Sequence, residues 1–464
     1  MRRVPGAALV LVLALGVGSG PARAQEAERW TFTGSARVSH TSNLLFIPDG
    51  PDDTIGGLLL SLGYARVRRS YSFFGSGWVL GSAYREFDIF NGARGGMALS
   101  GTVSFSPVAR LRYSEALASG FNPQRLYGTG DLLPQIRVTS NYGSAGLSYD
   151  FTRSTRGDVS FDSTFIRYRS DFRVTSPQLS ADTFPEVAAG PTPDPTRPPI
   201  FGLPLDPALT TVGLAAKEGI DTRVFDLFTW RVGGALTHEF SPKTQGGLTV
   251  GYRSSNYTNS LDPRGDAGIF EAGASLKRTL DTTASLAFVY GFQRSLYEPT
   301  TVTQNIGSQF TKELTSKWNL DASLGVSWYT SDDFPGTGWS LVGGAGASKR
   351  GRRGGFVFRY DHTLYQALGF GRVITTDLLY TAGSWIPWKR VVVGAYTGVS
   401  ASRDELDRGF TFSDFFAGVY GSYQVHKRTR LGLDYSYRRY SFRGAPDAGA
   451  SVVGFSITYL RSWK

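Results

Sequence analysis

Residues 318 to 329 read WNLDASLGVSWY. Every second side chain from Trp318 (Leu320, Ala322, Leu324, Val326, Trp328) is apolar, while Asn319, Asp321, Ser323, Gly325 and Ser327 between them are polar or small. A period of two places successive side chains on opposite faces of a β-strand, and no helix face collects this set. One face is therefore apolar from end to end and closed by an indole at each end. The run covers about 33 Å of extended chain, and a tilt of about 40° reduces that to roughly 25 Å, the height of a transmembrane barrel's apolar band between its aromatic girdles.

The pattern recurs along the chain. In 284–293 the apolar set is Ala284, Leu286, Phe288, Tyr290 and Phe292; in 430–438 it is Leu431, Leu433, Tyr435 and Tyr437; in 30–39 it is Trp30, Phe32, Gly34, Ala36 and Val38. Read this way, the chain divides into about 20 strand segments, near 30–44, 55–67, 72–89, 94–106, 108–119, 140–153, 157–172, 224–240, 243–257, 267–279, 282–297, 302–315, 317–330, 338–349, 354–367, 372–386, 390–402, 411–427, 429–442 and 449–462; about 18 is the alternative count. Brief turns such as Ser106-Pro107 and Ser241-Pro242-Lys243 alternate with longer loops such as 331–337 and 403–409. The expectation is an all-β fold, a transmembrane antiparallel up-and-down β-barrel with short periplasmic turns and longer external loops. A soluble propeller would need a polar exterior, which these apolar faces deny it.

Composition points the same way. The 464 residues hold 57 Gly, 14% aromatics, no Cys, two Met and only 19% charge, which suits strands and turns better than helices. Arg2 and Arg3 precede an apolar stretch from Ala7 to Val17, and Ala22-Arg23-Ala24 reads as a small-residue cleavage site. Residues 1–24 are thus expected to be a signal peptide, cleaved near Ala24, and 25–464 an outer-membrane barrel. An exported chain without Cys must draw its stability from hydrogen-bonded sheet and apolar burial.

About 20 tilted strands enclose a backbone cylinder of radius about 20 Å, which side chains cannot fill. Such a lumen holds water, a plug, or both. Parity points Arg37, Arg231, Glu239, Glu271, Lys277, Asp321, Arg359, Asp361, Arg430, Asp434 and Arg438 inward, either as a solute-binding wall or as ion-paired wall structure. Trp318, Trp328 and Trp463 are the aromatic-girdle candidates. One segment, 173–222, interrupts the strands with nine prolines between Pro177 and Pro207 and apolar residues such as Phe201, Leu203 and Leu205. It is expected to be a long extracellular loop or one folded into the mouth. Strand ends carrying Tyr84-Arg85, Tyr168-Arg169, Tyr252-Arg253 and Tyr437-Arg438 combine aromatic platforms with polar donors, the mixture that sugar-handling channels use, although girdle tyrosines and headgroup-binding arginines have the same composition. Arg66-Val67-Arg68-Arg69, Lys349-Arg350-Gly351-Arg352-Arg353, Lys389-Arg390 and Lys427-Arg428 would form a basic periplasmic rim, facing a partner or phospholipid headgroups.

In the first segment, His40 and Ser42 share the outward parity of Trp30, Phe32 and Val38. This fragment resembles the outer-membrane phospholipases in carrying His-x-Ser on a lipid-facing strand with an Asn nearby, which would make His40 and Ser42 the hydrolytic pair. Asn43 points the other way, however, and His238, His362 and His426 have no such neighbours in sequence. The last strand alternates Val453, Phe455, Ile457 and Tyr459 toward Trp463, and resembles the C-terminal signal by which outer-membrane barrels are recognised for insertion. Thr41-Ser42-Asn43-Leu44 at the first strand tip, with Tyr252-Arg253 and Tyr257-Thr258-Asn259 at later ones, resembles the porin-type barrels encoded with exopolysaccharide biosynthesis and export genes. That resemblance implies a polysaccharide conduit in the bacterial outer membrane, working with a periplasmic polysaccharide-export protein. The alternative is a diffusion porin for small hydrophilic solutes. Neither reading calls for an enzymatic step, a cofactor, a metal or a nucleic-acid partner; the surrounding partner is outer-membrane lipid.

Overall fold

A computed structural model describes residues 27–44, 50–88, 91–121, 136–170, 224–258, 266–296, 300–332, 334–367, 372–405, 411–442 and 445–463. The expected leader 1–24 and the whole of the proline-rich segment 173–222 lie outside them. The described residues form β1 (Ala27–Thr41), β2 (Asp53–Val67), β3 (Tyr71–Tyr84), β4 (Gly92–Ser104), β5 (Ala109–Phe121), β6 (Ile136–Asp150), β7 (Thr155–Ser170), β8 (Val224–Ser241), β9 (Thr244–Thr258) and β10 (Asp266–Thr279). There follow β11 (Ala284–Ser295), β12 (Thr301–Thr315), β13 (Trp318–Ser331), β14 (Phe334–Gly351), β15 (Gly354–Ala367), β16 (Arg372–Trp388), β17 (Val391–Asp404), β18 (Thr411–His426), β19 (Thr429–Phe442) and β20 (Ala445–Trp463).

Each strand pairs antiparallel with the next, and β1 pairs with β20 from Trp30↔Trp463 to Thr41↔Val452, so the 20-stranded sheet closes on itself. Closure removes both edges, and in a lipid environment that is what lets every strand satisfy its backbone donors and acceptors. The strands run from 12 to 19 residues, enough to cross the apolar band at a tilt.

The two faces divide as the alternation requires. Leu324 is 65% exposed, Leu248 58% and Phe288 57%, and they belong to one continuous apolar outer face with Val38, Leu58, Leu433 and Phe455. An apolar surface of this extent marks contact with something other than water. The opposite, concave face carries glycine, serine, threonine and charge, with a few aromatic rings among them. At one end of the barrel lie Ala27, Trp463 and the short turns 68–70, 242–243, 316–317, 352–353, 389–390 and 427–428, and the basic clusters at Arg68, Arg352, Lys389 and Lys427 all fall there. In the β10–β11 turn at the same end, 280–283, hydrogen bonds from Lys312 and Thr283 hold the Asp281 carboxyl well below its ordinary range.

Two loops expected from the sequence are shorter than their composition suggests. The stretch 331–337 is mostly strand: Thr337 pairs with Thr330 and Phe334 with Ser331, leaving only 332–333 between β13 and β14. Likewise β20 starts at Ala445, directly after 443–444. Pro and Gly favour loops, but at the end of a transmembrane hairpin the ladder of the partner strand carries them into the sheet.

The wall is uneven between β14 and β15. Their pairing runs only from Gly351↔Gly354 to Gly343↔His362, and beyond Gly343 β14 follows β13 alone. Gly343 and Gly344 stand at the departure point, where the absence of side chains lets the strand bend. Past it, Tyr329 and Val342, which have inward parity, pack with Leu364 and Val373, which have outward parity. The tip of the β13–β14 hairpin therefore overlaps the outside of the β15–β16 hairpin. His362 seals the overlap: its Nδ1 lies 2.7 Å from Asp377 Oδ1, which also accepts from the Tyr360 hydroxyl at 2.7 Å, and its Nε2 lies 3.4 Å from Ser340 Oγ.

Candidate functional site

The functional surface of a wide closed barrel is its inner wall, and here that wall is built from clustered charges bridged over glycines. Arg37 on β1 reaches past β20 to Asp434 on β19, Nη2 to Oδ2 2.7 Å. The residue beneath the bridge is Gly454, and a Cβ there would collide with both the guanidinium and the carboxylate. With glycine there the ion pair closes directly over the strand, spanning the seam where the first and last strands meet; a side chain would push its ends aside.

The same construction recurs across β9. Arg231 on β8 and Glu271 on β10 meet at 2.7 Å over Gly251, and Arg253 approaches the second carboxylate oxygen at 3.3 Å. Glu271 and Arg253 keep only 15% and 11% of their side-chain surface exposed, while Arg231 stays more open at 34%. Arg438 grips the nearly buried Asp414 in two parallel bonds of 2.9 and 2.7 Å, the fork geometry that suits guanidinium and carboxylate. Arg359 pairs with Asp361 two residues along β15, and Asp321 lies over Gly346 within reach of both their charges. Glu239, Lys277 and Arg430 sit near the short-turn end, with Glu239 and Lys277 both flanking Gln245.

The tryptophans mark two levels. Trp318 lies beneath the Lys349 ammonium, 5.1 Å from its ring centre, and Trp463 pairs with Trp30, both near the short turns. Trp328 pairs with Trp339 near the opposite end.

His40 and Ser42 are not brought together. His40 faces Thr54, Nδ1 to Oγ1 3.2 Å, and Asp52 at 3.7 Å, whereas Ser42 Oγ accepts from the Ser451 amide at 3.0 Å. The Asn43 side-chain amide donates to the Gly449 carbonyl at 3.0 Å. Ser42 and Asn43 thus pin the β1 tip to β20 and seal the barrel seam at its loop end.

A hydroxyl, an imidazole and a carboxylate do stand in line elsewhere, as Ser340, His362 and Asp377. Sequence reading passes over them because they come from three strands and meet only through the hairpin overlap. Ser340 is 9% exposed and its hydroxyl donates to the Leu341 carbonyl at 3.1 Å, so the trio works as a closed latch. Also illegible in sequence is an aromatic group on the inner wall of β16–β18. Tyr420, Tyr396 and Phe416 lie over Gly394, Gly418 and Gly398, with Tyr380 beside Phe416.

No protein-family model and no curated protein matches this sequence. Among solved structures, the chain is similar to BauA, the ferric preacinetobactin receptor from Acinetobacter baumannii, at 12% identity and a TM-score of 0.50, over 95% of this chain and 80% of that one. The fold is that of the bacterial outer-membrane β-barrels. The siderophore receptor PirA from Pseudomonas aeruginosa (10% identity, TM-score 0.49, 95% and 81% covered) and OccAB4 from Acinetobacter baumannii (10% identity, TM-score 0.41, 96% and 100% covered) are further similar structures.

Proposed function

We propose that this protein is a hydrated pore in the bacterial outer membrane, without an enzymatic step, and that its cargo is a secreted polysaccharide. The observation that carries the pore is the width of the ring. A closed sheet of 20 strands leaves a lumen that its own side chains cannot fill, and that lumen is walled by charged and hydroxyl groups. The polymer cargo rests on the strand-tip resemblance to exopolysaccharide-associated barrels and on inner-wall chemistry that suits sugars, with rings beside paired charges. Force would come from polymer synthesis or from a periplasmic export protein docking at the short-turn end, where the basic clusters gather.

Planar-bilayer conductance tests this reading. The mature chain is expected to conduct poorly, and a variant lacking 173–222 to conduct strongly. A permanently open full-length channel would favour a diffusion porin for small solutes. Silence from both proteins would contradict the pore itself.

A further inference from the structure

The aromatic group on β16–β18 has the geometry of a binding surface. A Cβ at Gly394, Gly418 or Gly398 would collide with the Cζ tip of Tyr420, Tyr396 or Phe416 respectively, so each ring lies down along the sheet with its outer edge over the glycine opposite. A ring folded onto the wall turns its other face to the lumen. Tyr113 covers Gly101 singly in the same manner, but on β16–β18 the device is repeated on adjacent strands and the rings adjoin. Phe416 stands 6.2 Å from Tyr380 and 6.4 Å from Tyr396, centre to centre.

Charges border these rings. Tyr420 is opposite Asp434 and Phe416 opposite Arg438 on β19, and the Tyr396 hydroxyl is hydrogen-bonded to Ser436. Asp434 and its partner Arg37 keep 30% and 47% of their side-chain surface open, so both retain capacity for further hydrogen bonds. Phe416 lies further from the short-turn end of β18 than Tyr420, so the rings climb about 10 Å along the barrel axis.

We propose that Tyr420, Tyr396, Phe416 and Tyr380 form a stacking track for the pyranose rings of a neutral sugar polymer, with Asp434 and Arg37 bonding its hydroxyls. The inference rests on the polysaccharide reading above and names the surface that meets the chain. Aromatic faces are apolar platforms for the C–H face of a sugar, and a paired carboxylate and guanidinium offer an acceptor and donors without net charge. Successive rings at graded heights let a polymer exchange one platform for the next.

Calorimetric titration of the full-length protein in detergent with maltohexaose and with cellohexaose tests it. At least one is expected to bind, with Tyr420→Ala and Tyr396→Ala each weakening it about tenfold and Tyr420→Phe changing it less than about threefold, as loss of one stacking face implies. Heat-modifiable gel migration confirms that each variant remains a folded barrel. A folded alanine variant that binds as the wild type does, or a wild type that binds neither sugar, overturns the track. Conductance measured on the same preparations separates the two readings: a conducting channel that ignores sugar removes the track and leaves the pore, whereas sugar binding by a silent barrel removes the pore and leaves the track.

Discussion

Leu324→Arg is expected to lower the stability of the folded barrel by about 2–4 kcal/mol, whereas Ser323→Arg, one residue away, is expected to stay within about 1 kcal/mol of the parent. Leu324 lies midway along β13 on the apolar face and is 65% exposed to whatever surrounds the barrel. Near the bilayer midplane an arginine there must shed water or distort the membrane. Ser323 points to the opposite wall, where its hydroxyl meets the Gly344 carbonyl at 3.4 Å and where Asp321 and Asp361 offer an arginine partners. Urea unfolding of the two variants in lipid vesicles, compared at the transition midpoint, checks the contrast.

The second large effect is expected at Glu271. Its carboxylate joins Arg231 and Arg253, and Glu271→Ala would leave these two guanidiniums, directly opposite each other on β8 and β9, without the charge between them. Removing one member of a buried ion cluster costs about 3–5 kcal/mol, and the lower end applies because Arg231 keeps 34% of its side chain in water. Glu271→Ala combined with Arg231→Ala should recover part of the loss, since the like-charge contact goes with it. A double-mutant cycle in the same urea assay measures that coupling. Equal losses in the single and double variants would mean that the cluster is decoration on the wall.

The fold was written plainly in the sequence because a barrel wall has two solvents, and the side chains of WNLDASLGVSWY sort between them one by one. Strand ends were less legible. Thr337 is a loop residue by composition, yet pairing with Thr330 draws it into β14. Inner-wall charges follow from parity, but their pairing does not: Arg37 and Asp434 lie at opposite ends of the chain and meet only because β1 closes against β20 over Gly454. The His362 latch and the aromatic track were hidden for a similar reason. Each depends on which glycine or serine stands opposite on a neighbouring strand, and register across strands is a property of the assembled sheet.

The native chain contains no cysteine, so single cysteines can be introduced one at a time along β13 and read without background. In proteoliposomes, a membrane-impermeant maleimide is expected to label cysteines at 319, 321 and 323, reached through a water-filled lumen, and to spare those at 320, 322, 324 and 326, which face lipid. Uniform labelling of both sets, or labelling of the even positions alone, would contradict a lipid-embedded barrel around water.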